Sequence, residues 1–135
     1  MKKQLVIIPL IALVWVLCVV NAGCSPKDKN MSQSGDTTIV NTTLLTTAVI
    51  GYQSTTPLEV CIVNHKILAV RALPNEETPR FFDRVRGELL HRWDGLSVDE
   101  ALKLSVDAVS GATYSSNAVI TNMRTALEYY KQAKH

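Results

Sequence analysis

Beyond its first two dozen residues the chain has no surplus of charge of either sign. It carries 14 Lys+Arg and 12 Asp+Glu, but Lys2 and Lys3 belong to an N-terminal leader, which leaves 12 cations against 12 anions from Cys24 onward. Without a basic stripe there is no footprint for nucleic acid, so that class of partner is excluded. Cysteine is scarce too. Of the three, Cys18 lies in the leader, Cys24 closes it, and Cys61 is left over, which excludes a disulfide framework. Flanked by Val60 and Ile62, Cys61 reads as a small buried apolar residue, with a reactive thiol as the alternative. His65, His91 and His135 stand far apart without a Cys or carboxylate at ligand spacing, so no metal site is expected and all three read as surface or turn residues. The chain shows no Ser/His/Asp or Cys/His constellation, no nicotinamide fingerprint and no internal repeat. A length of 135 residues leaves room for one ordinary domain and none for a multidomain enzyme.

The leader has a recognisable order. Met1-Lys2-Lys3 is a cationic start, Leu5 to Val20 is an uncharged apolar run, and Asn21-Ala22-Gly23-Cys24 ends it with small residues before a cysteine. This is the pattern of an export signal over residues 1–23. A sixteen-residue helix would rise about 24 Å, short of the roughly 30 Å hydrocarbon core, and Pro9 interrupts it. Ala22-Gly23-Cys24 resembles a bacterial lipobox, although Asn21 stands where an aliphatic is usual. The resemblance implies cleavage before Cys24 and lipidation of its thiol, with an uncleaved signal anchor as the alternative. Either way the body is expected on the extracytoplasmic face of a membrane, because the lysine pair stays inside. Residues 24–36, rich in Ser, Lys, Asp, Asn and Gly, read as a solvated tether.

The body, residues 37–135, reads as α+β: a small antiparallel sheet with helices packed on one side. Thr37 to Thr47 is β-prone and predicts one or two strands. Leu58 to Val63 and Ile67 to Leu73 predict a hairpin around Asn64-His65-Lys66, with Asn64 taking the left-handed turn conformation. Phe81, Phe82, Val85, Leu89 and Leu90 recur at helical spacing between Thr78 and Trp93. Ser97-Val98-Asp99-Glu100 is a capping box for a short helix to about Leu104. Val119, Met123, Leu127 and Tyr130 mark one face of a C-terminal helix that starts near Ser116, after a loop from Ser105 to Ser115.

That loop carries the chemistry. Asp107-Ala108-Val109-Ser110-Gly111-Ala112-Thr113-Tyr114-Ser115-Ser116 is a small-residue turn feeding a helix start. Gly111 and Ala112 allow a bulky ligand close to the backbone, and a helix N-terminus with its free N-H groups suits a phosphate. The hydroxyls of Ser110, Thr113, Ser115 and Ser116 add donors. On the residues alone, a second reading stands beside this one: Ser115 or Ser116 simply caps the helix.

Asp-x-x-Ser-Gly-Ala-Thr followed by Tyr-Ser-Ser and an amphipathic helix resembles the flavinylation motif of FMN-binding domains. That family includes the covalent-flavin components of the sodium-translocating NADH:quinone oxidoreductase and of the Rnf complex. The resemblance runs over about residues 48–130, with Gly51-Tyr52 opening the domain and Glu77-Thr78-Pro79 matching a family Glu-Thr-Pro motif. The family's usual Asp-Gly hairpin turn is here Asn64-His65, and Arg80 replaces a usual Gly. The resemblance implies FMN joined by a phosphodiester to Thr113, placed there by a flavin transferase that uses FAD. It makes Asp107, Ser110, Gly111, Ala112 and Thr113 the transferase's recognition elements, and Ser110, Gly111, Ala112, Ser115, Ser116, Glu77 and Thr78 the surroundings of the cofactor. For Glu77 and Thr78 an ordinary helix N-terminus is the alternative, and the adjacent carboxylates Glu76 and Glu77 read as surface or cofactor-loop residues and not as an acid/base pair. Tyr52 and Tyr114 read as core or surface aromatics, or as stacking partners of the ring. The implied role is an electron carrier between a membrane redox complex, or another quinone-linked donor, and an extracytoplasmic acceptor. A flavin-free envelope binding module and a small flavin reductase are the rival readings.

Overall fold

A computed structural model describes residues 27–135. The expected signal over residues 1–23 and the expected lipidation site Cys24 lie outside the described residues.

Four strands form one antiparallel sheet in the order β1-β2-β3-β4: Met31–Ser34, Thr37–Asn41, Leu58–Val63 and Lys66–Ala72. Each is antiparallel to its sequence neighbour where they pair, so the sheet is a meander. The expected tether is therefore shorter than its composition suggested. Met31–Ser34, polar and mostly exposed, pairs with Thr37–Val40 across a turn at Gly35 (φ 57°). It buries little and is held by main-chain bonds, which composition does not report. Within the β-prone stretch 37–47 only residues 37–41 extend; the chain then turns, with Leu45 and Thr46 N-H bonded to the Thr42 carbonyl.

The β3–β4 hairpin turns on two residues. Asn64 (φ 49°) and His65 (φ 65°) are both left-handed, as a type I′ turn requires, and Lys66, expected in the turn, already belongs to β4. A bulge follows, because Cys61 pairs with Ala69 while Ile62 pairs with Ile67. Leu68 is the extra residue and points to solvent, 61% exposed. The bulge lets Ile67 and Val70, three residues apart on β4, share the face that meets Leu58, Val60 and Ile62, so both enter the core.

The predicted helix from Thr78 to Trp93 divides. Helix α1 runs Pro79–Glu88, with Pro79 at its first position where a missing N-H costs nothing, and a 3-10 turn follows at Leu90–Trp93. The next helix, α2 (Val98–Lys103), starts at the expected capping box, with both reciprocal bonds formed between Ser97 and Glu100. The last, α3 (Thr113–Ala133), is the longest. Val40, Leu58, Val60, Ile62, Ile67 and Val70 from the sheet form one core with Phe82, Val85, Leu89, Trp93, Val119, Met123 and Leu127. The fold is α+β. Cys61 is a free thiol on the strand's other face, 4% exposed, and burial pushes its pKa up, which fits the small-apolar reading. No helix among the described residues is long and apolar enough to cross a membrane.

Candidate functional site

The motif folds as a turn and a helix start. The Val109 carbonyl accepts a bond from Ala112 N-H at 2.9 Å, closing a turn whose third residue, Gly111, has φ 79°. That position disfavours any residue with a Cβ, and the turn brings Ala112 to the N-cap of α3. Thr113 is thus the first helical residue, three positions earlier than the hydrophobic period predicts. Its side chain is exposed.

This placement overturns the capping role expected of Ser115 or Ser116. Both lie inside the first turn of the helix and are buried, at 1% and 0% exposed. Ser116 Oγ accepts from Val109 N-H at 3.0 Å and so braces the motif turn. Ser115 Oγ donates to Glu77. Both hydroxyls are engaged inside the protein. The helix is instead left uncapped: Ala112 has no side-chain oxygen, although Ser or Asp at an N-cap would stabilise it by about 1 kcal/mol. The leading N-H groups of α3 keep their capacity for an anion.

Beside Thr113 opens a cleft of about 310 Å³ lined by Tyr52, Phe81, Gly111, Ala112, Thr113, Tyr114 and Ser115. A wider depression of about 530 Å³ between β4 and α1 contains no motif residue and is lined partly by exposed arginines. Of the two, the smaller cleft is the candidate, because a hydroxyl nucleophile, free helix N-H groups and aromatic walls meet there. Tyr52 and Tyr114 are 60% and 70% exposed, with ring centroids 6.5 Å apart. Phe81, on α1, is the third aromatic. Its role at the cleft went unforeseen because its spacing marks it as core, and no signal in the sequence singles it out. Arg84 stands over the motif turn, its Nη1 3.4 Å from where a Cβ on Gly111 would lie.

Four of the expected contact residues therefore gather at the cleft: Gly111, Ala112, Thr113 and Ser115. Ser110 and Asp107 are exposed outside it, and Thr78 is the N-cap of α1 with no side-chain cap bond. Glu77 faces neither solvent nor cleft. At 6% exposed, its Oε1 accepts from Gln53 and Ser54 N-H at 2.8 Å each, and its Oε2 from Tyr52 N-H at 3.1 Å and from Ser115 Oγ. Burial alone would raise its pKa, but the bonds from Ser115, Ser54, Gln53 and Tyr52 outweigh that and hold it below the usual carboxylate range. Glu77 is thus an internal anchor, buried and not at the surface. Its partners lie 23 to 38 residues away in sequence, beyond the reach of any local pattern.

The sequence model of the FMN-binding domain family matches residues 51–128, more than half of the chain. The chain belongs to the FMN-binding domain family. No curated protein and no solved structure matches it. The donor set suits the cofactor. Exposed aromatic faces can flank an isoalloxazine, while uncapped N-H groups and Arg84 are placed to balance a phosphate's charge. All seven cleft residues fall inside the matched span.

Proposed function

We propose that this FMN-binding domain carries its flavin covalently, through a phosphodiester on Thr113, and serves as an electron carrier outside the cytoplasm. The observation that carries the reading is the position of Thr113. It is the exposed first residue of a long helix that has no side-chain cap, at the edge of an aromatic-walled cleft. A phosphodiester on that hydroxyl lies beside the free N-H groups and takes the place of the missing cap. Gly111 keeps the approach open, and Arg84 adds a positive charge on the same side. When bound, FMN supplies one- and two-electron redox chemistry that no side chain of this protein provides. The protein's part is to tether, orient and partly shield it. The exposed tyrosines leave one edge accessible to a redox partner.

Attachment requires a flavin transferase using FAD. The lipobox-like end at Cys24 supports anchoring at the extracytoplasmic face of a membrane, where a covalent link prevents loss of a small cofactor. A membrane redox complex or quinone-linked donor is the natural electron source there. Coexpression with a flavin transferase tests the reading: after denaturing electrophoresis the wild-type band fluoresces, and Thr113→Ala is dark. A wild-type band without bound flavin, by fluorescence and intact mass, would refute covalent attachment.

A further inference from the structure

Glu77 collects its hydrogen bonds from both walls of the cleft. Tyr52, Gln53 and Ser54 donate from the loop that carries the Tyr52 ring, and Ser115 donates from the first turn of α3, two residues after Thr113. The carboxylate comes so close to the loop that a Cβ on Gly51 would stand 2.9 Å from Oε1. Glu76 N-H adds a bond to Ser54 Oγ at 3.0 Å. Apart from these contacts the loop is held by one main-chain bond, Gly51 N-H to Ser54 carbonyl at 2.8 Å, a local bond from Ser54 Oγ to the Thr55 carbonyl at 3.0 Å, and an isolated bridge between Ile50 and Thr55. Charge-assisted bonds are about twice as strong as neutral ones, so the carboxylate is the main restraint on the loop.

We propose that Glu77 is a positioning residue for the flavin site: a buried clasp that joins the Tyr52 loop to the first turn of α3. It sets the Tyr52 ring opposite Tyr114 and fixes the Thr113 hydroxyl at the cleft edge without touching the cofactor. What the cleft receives rests on the covalent-flavin reading, whereas the clasp rests on contacts within this chain. Misplacing a reacting group by about 1 Å can cost on the order of a hundredfold in rate, so a loosened clasp slows attachment even when the fold survives.

Two variants probe the clasp from its two ends. Ser115→Ala removes the contact on α3. Glu77→Gln keeps one acceptor oxygen but turns an NH₂ toward the remaining donors. Amide hydrogen exchange is measured on the flavin-free protein, and the rate of FMN attachment is followed by intact mass with purified transferase and FAD. Ser115→Ala, though on the helix, is expected to speed exchange at Tyr52, Gln53 and Ser54 about tenfold while the β3–β4 hairpin is unchanged. Glu77→Gln is expected to do the same, to slow attachment about tenfold or more, and to alter the visible circular dichroism of the bound flavin. Thr121→Ala, exposed on α3, changes none of these. Unchanged exchange at residues 52–54 in both variants overturns the clasp. A folded Glu77→Gln protein that is flavinylated at the wild-type rate overturns the positioning role. Wild type that takes no flavin, while Ser115→Ala still speeds exchange, refutes the covalent reading alone and leaves the clasp standing.

Discussion

A carboxylate buried on four donors makes the fold sensitive to acid. Glu77 has its pKa depressed in the folded state, while in the unfolded chain it titrates near about 4.3. A depressed folded value means that the group stabilises above the unfolded value and that this contribution is lost as pH falls through the lower folded value. Asp28, Asp99 and Glu100 shift the same way, but they are solvent-screened and add little. Glu77→Gln is therefore expected to be less stable by about 1–3 kcal/mol at neutral pH. Its deficit against wild type should shrink as pH falls below about 4. Urea midpoints between about pH 7 and pH 3 check this, and parallel curves for the two proteins would contradict it. A free-standing helix N-terminus was the reading available to Glu77 from its neighbours Thr78 and Pro79. What it does depends on donors that no spacing rule connects to it.

At the scale of elements, local chemistry was legible wherever one segment settles its own conformation. The hairpin turn, the capping box at Ser97 and the small-residue turn at Gly111 all follow from residues within a few positions of one another. Ser97→Ala removes a bond from Glu100 N-H at 3.2 Å and is expected to cost about 1 kcal/mol, read as a lower thermal midpoint. His65 is the less obvious case. Holding a non-glycine residue at φ 65° costs roughly 1–2 kcal/mol, and a glycine would remove that strain. Yet His65 Nδ1 lies 2.9 Å from the Tyr130 hydroxyl, a bond that contributes about 1 kcal/mol, and its ring packs on Tyr130 with centroids 5.2 Å apart. The two effects oppose each other, so His65→Gly should change stability by less than about 1 kcal/mol. His65→Ala keeps the strain and loses the bond, and is expected to be the more destabilising of the pair. The reverse order in denaturant unfolding would show that the turn strain is negligible. Edges of elements were less legible: Met31–Ser34 is a strand by pairing and not by pattern, and α3 starts at Thr113 because the Gly111 turn starts it, ahead of the first apolar residue of its stripe.

For the molecule as a whole, the segment from Thr42 to Thr56 is the part least explained by its own composition, and it is the part that presents the Tyr52 loop. Its ends are held by a second buried polar centre. Asn122 on α3, 0% exposed, accepts from Thr42 Oγ at 2.6 Å and lies within bonding distance of Thr46, and its amide faces Thr56 at 3.4 Å and the Ala118 carbonyl at 2.9 Å. Thr42 Oγ in turn accepts from Leu58 N-H at 2.8 Å, at the start of β3. Thus α3 grips one segment twice, through Asn122 at its base and through Ser115 and Glu77 at its tip. Threonines, an asparagine and a glutamate spread along a sequence look like loop and surface polarity, and only the fold reveals them as two anchors. Asn122→Leu keeps most of the volume but leaves the Thr42 hydroxyl without its acceptor, so a loss of about 1–3 kcal/mol is expected. Because both anchors restrain the same segment, releasing one reduces what the other can still hold. The double variant Asn122→Leu, Glu77→Gln should then cost less than the sum of the singles by at least about 0.5 kcal/mol. Urea unfolding of the four proteins measures that coupling, and strict additivity would mean that the two ends of the segment are held independently.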